Sequence, residues 1–223
     1  VALDPKFVKA YVFGAHCLSD NHEFEKAVVL LDKGIKEIPE EWDLPYQMGF
    51  IYYIKKKNKL VAAKYLDKAG DLEGAPLIMK RLAALLYTDA EGSDMEIKIK
   101  MWESALESAK KQGDKISEEK AYKQLVELKI EFDVSNLEKA IKKYNELREK
   151  ISNETVYPDQ ITKNKTQVKI TSDNESSRML YLNDLKQLVD AKIITSIPTD
   201  PFGRPYMFET QTQKIKTFPL PWK

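Results

Sequence analysis

The sequence predicts a mainly α chain: an α-solenoid of about three helix pairs with capping helices, followed by a small α+β C-terminal domain with a β-hairpin. Three observations carry this expectation. The chain matches itself at an offset of 35 residues, with Gly14 on Gly49, Ala27 on Ala62 and Leu31-Asp32-Lys33 on Leu66-Asp67-Lys68. Each copy divides into two apolar-periodic runs around a short polar break, at Asp20-Asn21, Lys57-Asn58 and Glu91-Gly92-Ser93. Beyond Ser152 the periodicity stops, and when order returns it is punctuated by Pro198, Pro201, Gly203 and Pro205.

The same offset places Phe13 on Met48, Tyr11 on Tyr46 and Gly34 on Ala69. A third copy has Ala84 beneath Gly49, then slips by one residue so that Trp102 lies beneath Leu66 and Ala105 beneath Ala69. Small residues recur where two helices must approach closely, and large apolar residues fill the space between them. One helix pair cannot bury its apolar face alone, so stacked neighbours complete the core.

A further helical run over 117–132 has Leu125, Leu128 and Phe132 on one stripe. It reads either as a degenerate fourth repeat or as a capping helix, and it closes a first domain over 1–134. A second domain over 135–223 opens with Ser135 as an expected N-cap and Glu138 three residues on, a capping box. Leu137, Ile141, Tyr144, Leu147 and Ile151 give that helix an apolar stripe. Residues 152–178 read as a long polar loop, with Asn-x-Ser/Thr sequons at Asn153, Asn164 and Asn174 that are expected to arise from composition. A short helix is expected over 180–191, with Leu182, Leu185, Leu188 and Val189 inward. A hairpin of 206–209 and 214–218 around 210–213 follows.

Charge and composition narrow the function classes. Lys+Arg (36) and Asp+Glu (35) nearly cancel to +1, and only Arg81, Arg148, Arg178 and Arg204 are arginines. No field draws such a chain to nucleic acid, and Lys is a poorer bidentate reader than Arg. No stretch approaches the roughly 18 apolar residues of a membrane span, and no signal peptide is recognisable. Val1 stands where an initiator Met would, so membrane association is expected only through an anchor preceding it. Cys17 is the single cysteine, which rules out an internal disulfide. No phosphate loop, nucleophile elbow, kinase signature or His-Glu-x-x-His helix occurs. His16 and His22 do not form a ligand pair, so no metal, cofactor or catalytic residue is expected and the chain reads as a non-enzyme.

The repeat resembles the tetratricopeptide family through Gly14, Gly49 and Ala84 at the small eighth position. A small residue late in each second helix (Gly34, Ala69, Ala105), Ala27 and Ala62, Phe24, and Pro39 at the close of the first copy add to it. The copies depart from that family by one extra residue between helices, and Lys98 replaces an expected small residue. The resemblance covers about 5–110. It implies that the first helix of each pair lines a concave groove carrying Tyr11, Leu18, Tyr46, Phe50, Tyr53, Arg81 and Leu85. Aromatic residues and Arg are frequent hot spots in interfaces. The partner would be a protein or peptide; alternatively these aromatics pack against the chain's own 135–151 helix or its 218–222 tail. The Lys/Asn set that clamps a terminal carboxylate in co-chaperone members is lacking.

The run from 135 onward resembles the globular part of the major pseudopilin of type II secretion, and type IV pilin-like proteins more loosely. It does so through Ala140 and Tyr144, Tyr157-Pro158, Leu188-Val189 and, above all, the turn Asp200, Pro201, Phe202, Gly203, Pro205 and Tyr206. The apolar assembly helix of that family is absent, so the chain is not expected to be a pilus subunit itself. Such pseudopilins can bind calcium, but Glu209 is the only carboxylate after Asp200, too few for an oxygen cage. Together the resemblances imply a scaffold of the bacterial cell envelope, linked to assembly of a pilus- or secretion-like machine. The alternative is a self-assembling structural protein, and a cytoplasmic location stays open.

Overall fold

The computed structural model describes residues 4–154 and 181–223, with side chains described as far as residue 150 in the first stretch. Among these the chain is mainly helical, with one small antiparallel sheet of two strands. It divides into two compact units, Val1–Leu128 and Lys129–Lys223.

In the first unit, six helices follow one another as three pairs: α1 (Val8–Asp20) with α2 (Phe24–Glu37), α3 (Asp43–Ile54) with α4 (Lys59–Gly70), and α5 (Ile78–Thr88) with α6 (Met95–Gln112). Each packs against the next in sequence, and α1 also touches α3. The polar breaks fall between the helices of each pair, and the backbone repeats there. His22, Lys57 and Gly92, each 35 residues after the last, all adopt a left-handed conformation, with φ of 63°, 50° and 70°. One left-handed residue reverses the chain between helices at little cost for Gly but with strain for His and Lys. Two starts are capped by side chains. Asn58 Oδ1 accepts the Val61 N–H at 3.1 Å and Asp94 Oδ1 accepts the Ile97 N–H at 3.0 Å, each satisfying a donor that the helix leaves unpaired.

Two apolar clusters hold this unit together. Tyr11, Ala27, Leu31, Ile35, Leu44 and Met48 join α1, α2 and α3. Ala62, Leu66, Ala83, Tyr87, Trp102 and Ala105 join α4, α5 and α6, and Ala121, Leu125 and Leu128 of the next helix close that cluster. Leu31 is wholly buried, and a side chain of that size contributes about 1.5–3 kcal/mol by leaving water. The small repeat residues set the helix spacing. A Cβ on Gly34 would stand 2.9 Å from the Tyr11 ring, and one on Gly49 would stand 3.0 Å from Leu66 Cγ. Trp102 donates its indole N–H to Thr88 Oγ1 at 2.9 Å. Lys80, buried where the second copy has Pro45, bonds Asp67 at 2.8 Å and Asp71 at 2.6 Å.

The next helix, α7 (Lys115–Glu154), overturns the sequence expectation of two helices, over 117–132 and 135–151. Ser135 lies inside it and caps nothing. No Gly or Pro occurs between Lys115 and Glu154. Ser and Asn cost only about 0.5 kcal/mol each within a helix, less than opening a terminus and nucleating again. The backbone of 152–154 likewise belongs to α7 rather than to the expected polar loop. The remainder of that loop, with Asn164 and Asn174, lies outside the described residues.

In the second unit, Leu137, Ala140, Ile141 and Tyr144 of α7 pack with Leu182, Leu185, Leu188, Tyr206 and Ile215. Of the helix expected over 180–191, the described residues 181–191 are helical at α8 (Lys186–Asp190) alone, with Leu182 and Leu185 buried just before it. Val189 is half-buried. The hairpin pairs β1 (Met207–Glu209) with β2 (Lys214–Lys216) in the register Met207↔Lys216, Phe208↔Ile215 and Glu209↔Lys214. It is shorter than expected because Tyr206 leaves the strand to enter the core, and Pro219 lies just beyond it. A polar clasp ties hairpin to helix. Leu182 N–H donates to Asn145 Oδ1 at 3.1 Å, Asn145 Nδ2 to Gln213 Oε1 at 3.2 Å, and Gln213 Nε2 to the Leu182 carbonyl at 2.8 Å.

Candidate functional site

The residues expected to line a partner groove divide by burial. Tyr11 is fully buried, and its hydroxyl donates to the Pro5 carbonyl at 3.0 Å. Burial pushes its phenol up, with lesser help from the charges of Glu37 and Asp4. It is a core residue, sealed by the segment before α1 and by the missing side chain of Gly34, so it cannot contact a partner. Leu18 is half-buried against the same cluster. Tyr46, the counterpart of Tyr11, is half-buried and packs against Trp42 with ring centroids 6.1 Å apart. Arg81 is half-buried, and its Nε is enclosed without a hydrogen-bond acceptor among the described residues. Its charge helps to hold Asp114 below the usual carboxylate range, mainly the work of hydrogen bonds from Ser117 at the start of α7. Arg81 therefore belongs to the packing of α5 on α7, not to an open cationic spot.

Phe50 (39% exposed), Tyr53 (40%) and Leu85 (42%) remain open. Phe50 and Leu85 occupy the same repeat position in successive copies, so they project from the same point of α3 and α5. In copy one that position is Ala15, which is buried. Ile54, 45% exposed beside Tyr53, belongs with this set. It is missed from sequence because its counterparts, Ser19 and Asp89, are polar.

Next to Tyr53, Lys59 at the start of α4 forms an ion pair with Asp89 at the end of α5. This pair raises the Lys59 ammonium, chiefly through its hydrogen bond to Asp89, with a smaller share from Tyr53. It bridges the turns of the second and third helix pairs, over a cleft of about 500 Å³ lined by Lys56, Lys57, Asn58, Leu60 and Glu91 besides the pair itself. Lys56 is taken up by Glu25 at 2.9 Å and stands 5.7 Å from the Tyr52 ring. The lysines of 55–59 are largely matched by acids, and the cleft has no strong sign of charge.

The Asp200–Tyr206 run builds a closed turn. Asp200 is buried; its Oδ1 accepts the N–H groups of Phe202 and Arg204 at 2.9 and 2.8 Å, and its Oδ2 accepts Arg204 Nε at 2.7 Å. Burial alone would raise this carboxyl, but the donors and the guanidinium outweigh it and hold it below the usual range. Pro201 and Gly203 form the exposed tip, with Gly203 at φ 77°. Arg204 lies between two rings, 4.9 Å from both Phe202 and Phe218, while Phe202 also meets Trp222 at 6.1 Å. Thr199 and Pro205 form an isolated bridge at the base. Tyr206 donates its hydroxyl to Asp133 Oδ2 at 2.9 Å. Burial raises both groups, and the hydrogen bond partly offsets this for Asp133. Asp200 thus closes the turn on itself, and Asp133 accepts the Tyr206 hydroxyl that fastens the turn to α7. Among the described residues no three His, Cys, Asp or Glu side chains converge in a way that could hold a metal ion.

The sequence matches no protein-family model and no curated protein. The functional reading therefore rests on the residues and their placement. Among the described residues no helix is long and apolar enough to cross a membrane.

Proposed function

We propose that this chain is a non-enzymatic protein-interaction scaffold of tetratricopeptide type, which holds a partner segment against Phe50, Tyr53 and Leu85. The carrying observation is the exposure of large apolar side chains at one repeat position, Phe50 and Leu85, in helices whose neighbouring positions Met48, Gly49, Ala83 and Ala84 are buried. Exposed apolar surface in register suits a protein partner. The 35-residue recurrence of small residues and of the left-handed turn residue supports the repeat type.

We further propose that the scaffold serves assembly of a pilus- or secretion-like machine in the bacterial envelope. Support comes from the second unit, where the Asp200–Tyr206 turn, the hairpin and the Leu-rich segment pack on one helix in the order of the pseudopilin-like resemblance. The test compares the full chain with a Phe50→Ser/Tyr53→Ser/Leu85→Ser variant in affinity capture from envelope extracts, alongside cell fractionation. The expected result is recovery of pilus or secretion components by the parent and loss by the variant. Equal recovery by both would remove the aromatic patch from the reading. A chain confined to the cytosol, or capture devoid of envelope components, would remove the envelope role.

A further inference from the structure

The repeat allows the outer face of α1 to be compared with the same face of α3 and α5. In α3, Leu44, Met48 and Ile51 are buried at 0%, 0% and 4% exposure, covered by Leu31, Ile35 and Ile38 of the preceding pair. The equivalent Met79, Ala83 and Leu86 of α5, and Ala90 just beyond it, are also buried. In α1 the same stripe is Lys9, Phe13, His16 and Asp20, and Phe13 is 72% exposed. Among the described residues nothing covers this stripe, and it keeps a large aromatic residue between charged and polar neighbours.

The stripe is complementary to itself. Its spacing of 4, 3 and 4 residues is that of a two-helix seam. Two copies of α1 run antiparallel place Lys9 of each opposite Asp20 of the other, and Phe13 opposite His16. The charges are also set against the helix dipole, with Lys9 in the first turn and Asp20 at the last residue, and α1 has no acid in its first turn and no base in its last. Isolated helices favour the reverse arrangement. Asp20 meets Lys55 at 3.9 Å with its carboxylate 79% exposed, which leaves it open to a second cation.

We propose that a second copy of this chain docks on the α1 stripe, giving a two-fold symmetric dimer through Lys9, Phe13, His16 and Asp20. One helix face lies below the roughly 1,200 Å² of a standard interface, so the dimer is a weak, concentration-dependent one. The surface is distinct from the Phe50–Tyr53–Leu85 patch, and either can fail without the other.

Sedimentation velocity of the full chain, from about 10 μM to about 1 mM, tests this across the range of weak interfaces. The parent is expected to shift from monomer to dimer. Phe13→Glu is expected to weaken the dimer at least about tenfold, since it sets a charge in the seam centre. Lys9→Asp and Asp20→Lys should each weaken it roughly three- to tenfold by opposing like charges. The double swap Lys9→Asp/Asp20→Lys should restore it. Both swaps suit the helix dipole better than the native residues, while Asp20→Lys also sets a second cation near Lys55; far-UV circular dichroism and thermal melts of each variant separate a loss of dimer from a loss of fold. A parent that stays monomeric throughout, a dimer indifferent to Phe13→Glu, or a double swap no better than either single change would each overturn the proposal.

Discussion

Gly34→Ala is the sharpest probe of the close approach between α1 and α2. The added Cβ would stand 2.9 Å from two atoms of the Tyr11 ring and 3.3 Å from Leu44 Cδ1. Carbon atoms settle at about 3.5–4.0 Å, so the ring must retreat by roughly 0.6 Å or more. Tyr11 has nowhere to go: it is fully buried, and its hydroxyl is held by the Pro5 carbonyl. Overpacking of this kind costs about 1–3 kcal/mol. Replacing a mid-helix glycine by alanine returns about 0.5–1 kcal/mol. The two ranges leave a net of about 0–2.5 kcal/mol, and the fixed Tyr11 ring puts Gly34→Ala in the upper part of it, a destabilisation of about 1–2.5 kcal/mol in urea unfolding followed by circular dichroism, or about 2–10 °C in Tm at the 2–4 °C per kcal/mol typical of this chain length. Gly14→Ala is the internal control. Its Cβ meets only Leu30 Cδ2, at 2.8 Å, the end of a half-buried side chain that can rotate, so helix propensity should win and leave the protein neutral or slightly more stable. If Gly34→Ala proves as stable as the parent, Gly34 is not a spacing residue and the account of the α1–α2 contact fails.

Lys57→Gly should stabilise the protein by about 0.5–1 kcal/mol, because Lys57 sits at φ 50° where a Cβ is strained; an unchanged urea midpoint would mean the turn relaxes. Thr88→Val keeps shape but leaves the buried Trp102 indole N–H unpaired, an expected loss of about 1–3 kcal/mol read by chemical denaturation, and no loss would show that the bond contributes little. Asp200 is held below its ordinary value in the folded chain, so its contribution is complete above the unfolded value of about 3.9 and drains away as pH falls through the lower folded value. Thermal melts over that acid window should show Asp200→Asn lowering stability at neutral pH while losing part of the parent's steep acid dependence; parallel curves for both proteins would show that Asp200 does not titrate in this way.

Much of the helical part was legible because its signals are local. Small residues at Gly14, Gly49, Gly34 and Ala69, and polar breaks such as Lys57-Asn58, appear in one-dimensional register before any contact is known. The single helix α7 reads as two in sequence for the same reason. Ser135 and Glu138 satisfy a local capping rule, and only the cost of nucleating a second helix, together with packing on both halves, keeps the chain helical through them. The candidate site was legible only in part. Tyr11 and Tyr46 are identical in sequence position within the repeat, yet Tyr11 is sealed by Gly34 and Pro5, while Tyr46, opposite Ala69, stays half-buried beside Trp42.

The sequence by itself determined the pairing of helices, the places where the chain turns and the Asp-Pro-Phe-Gly turn before the hairpin. These follow from side-chain size, periodicity and backbone preference within a few residues. The tertiary structure decided which equivalent residues face inward. Phe13 and Met48 share a repeat position, but one is open and the other buried, because a preceding helix pair covers α3 whereas none among the described residues covers α1. Burial depends on neighbours far along the chain, and a repeat makes positions alike without making their surroundings alike.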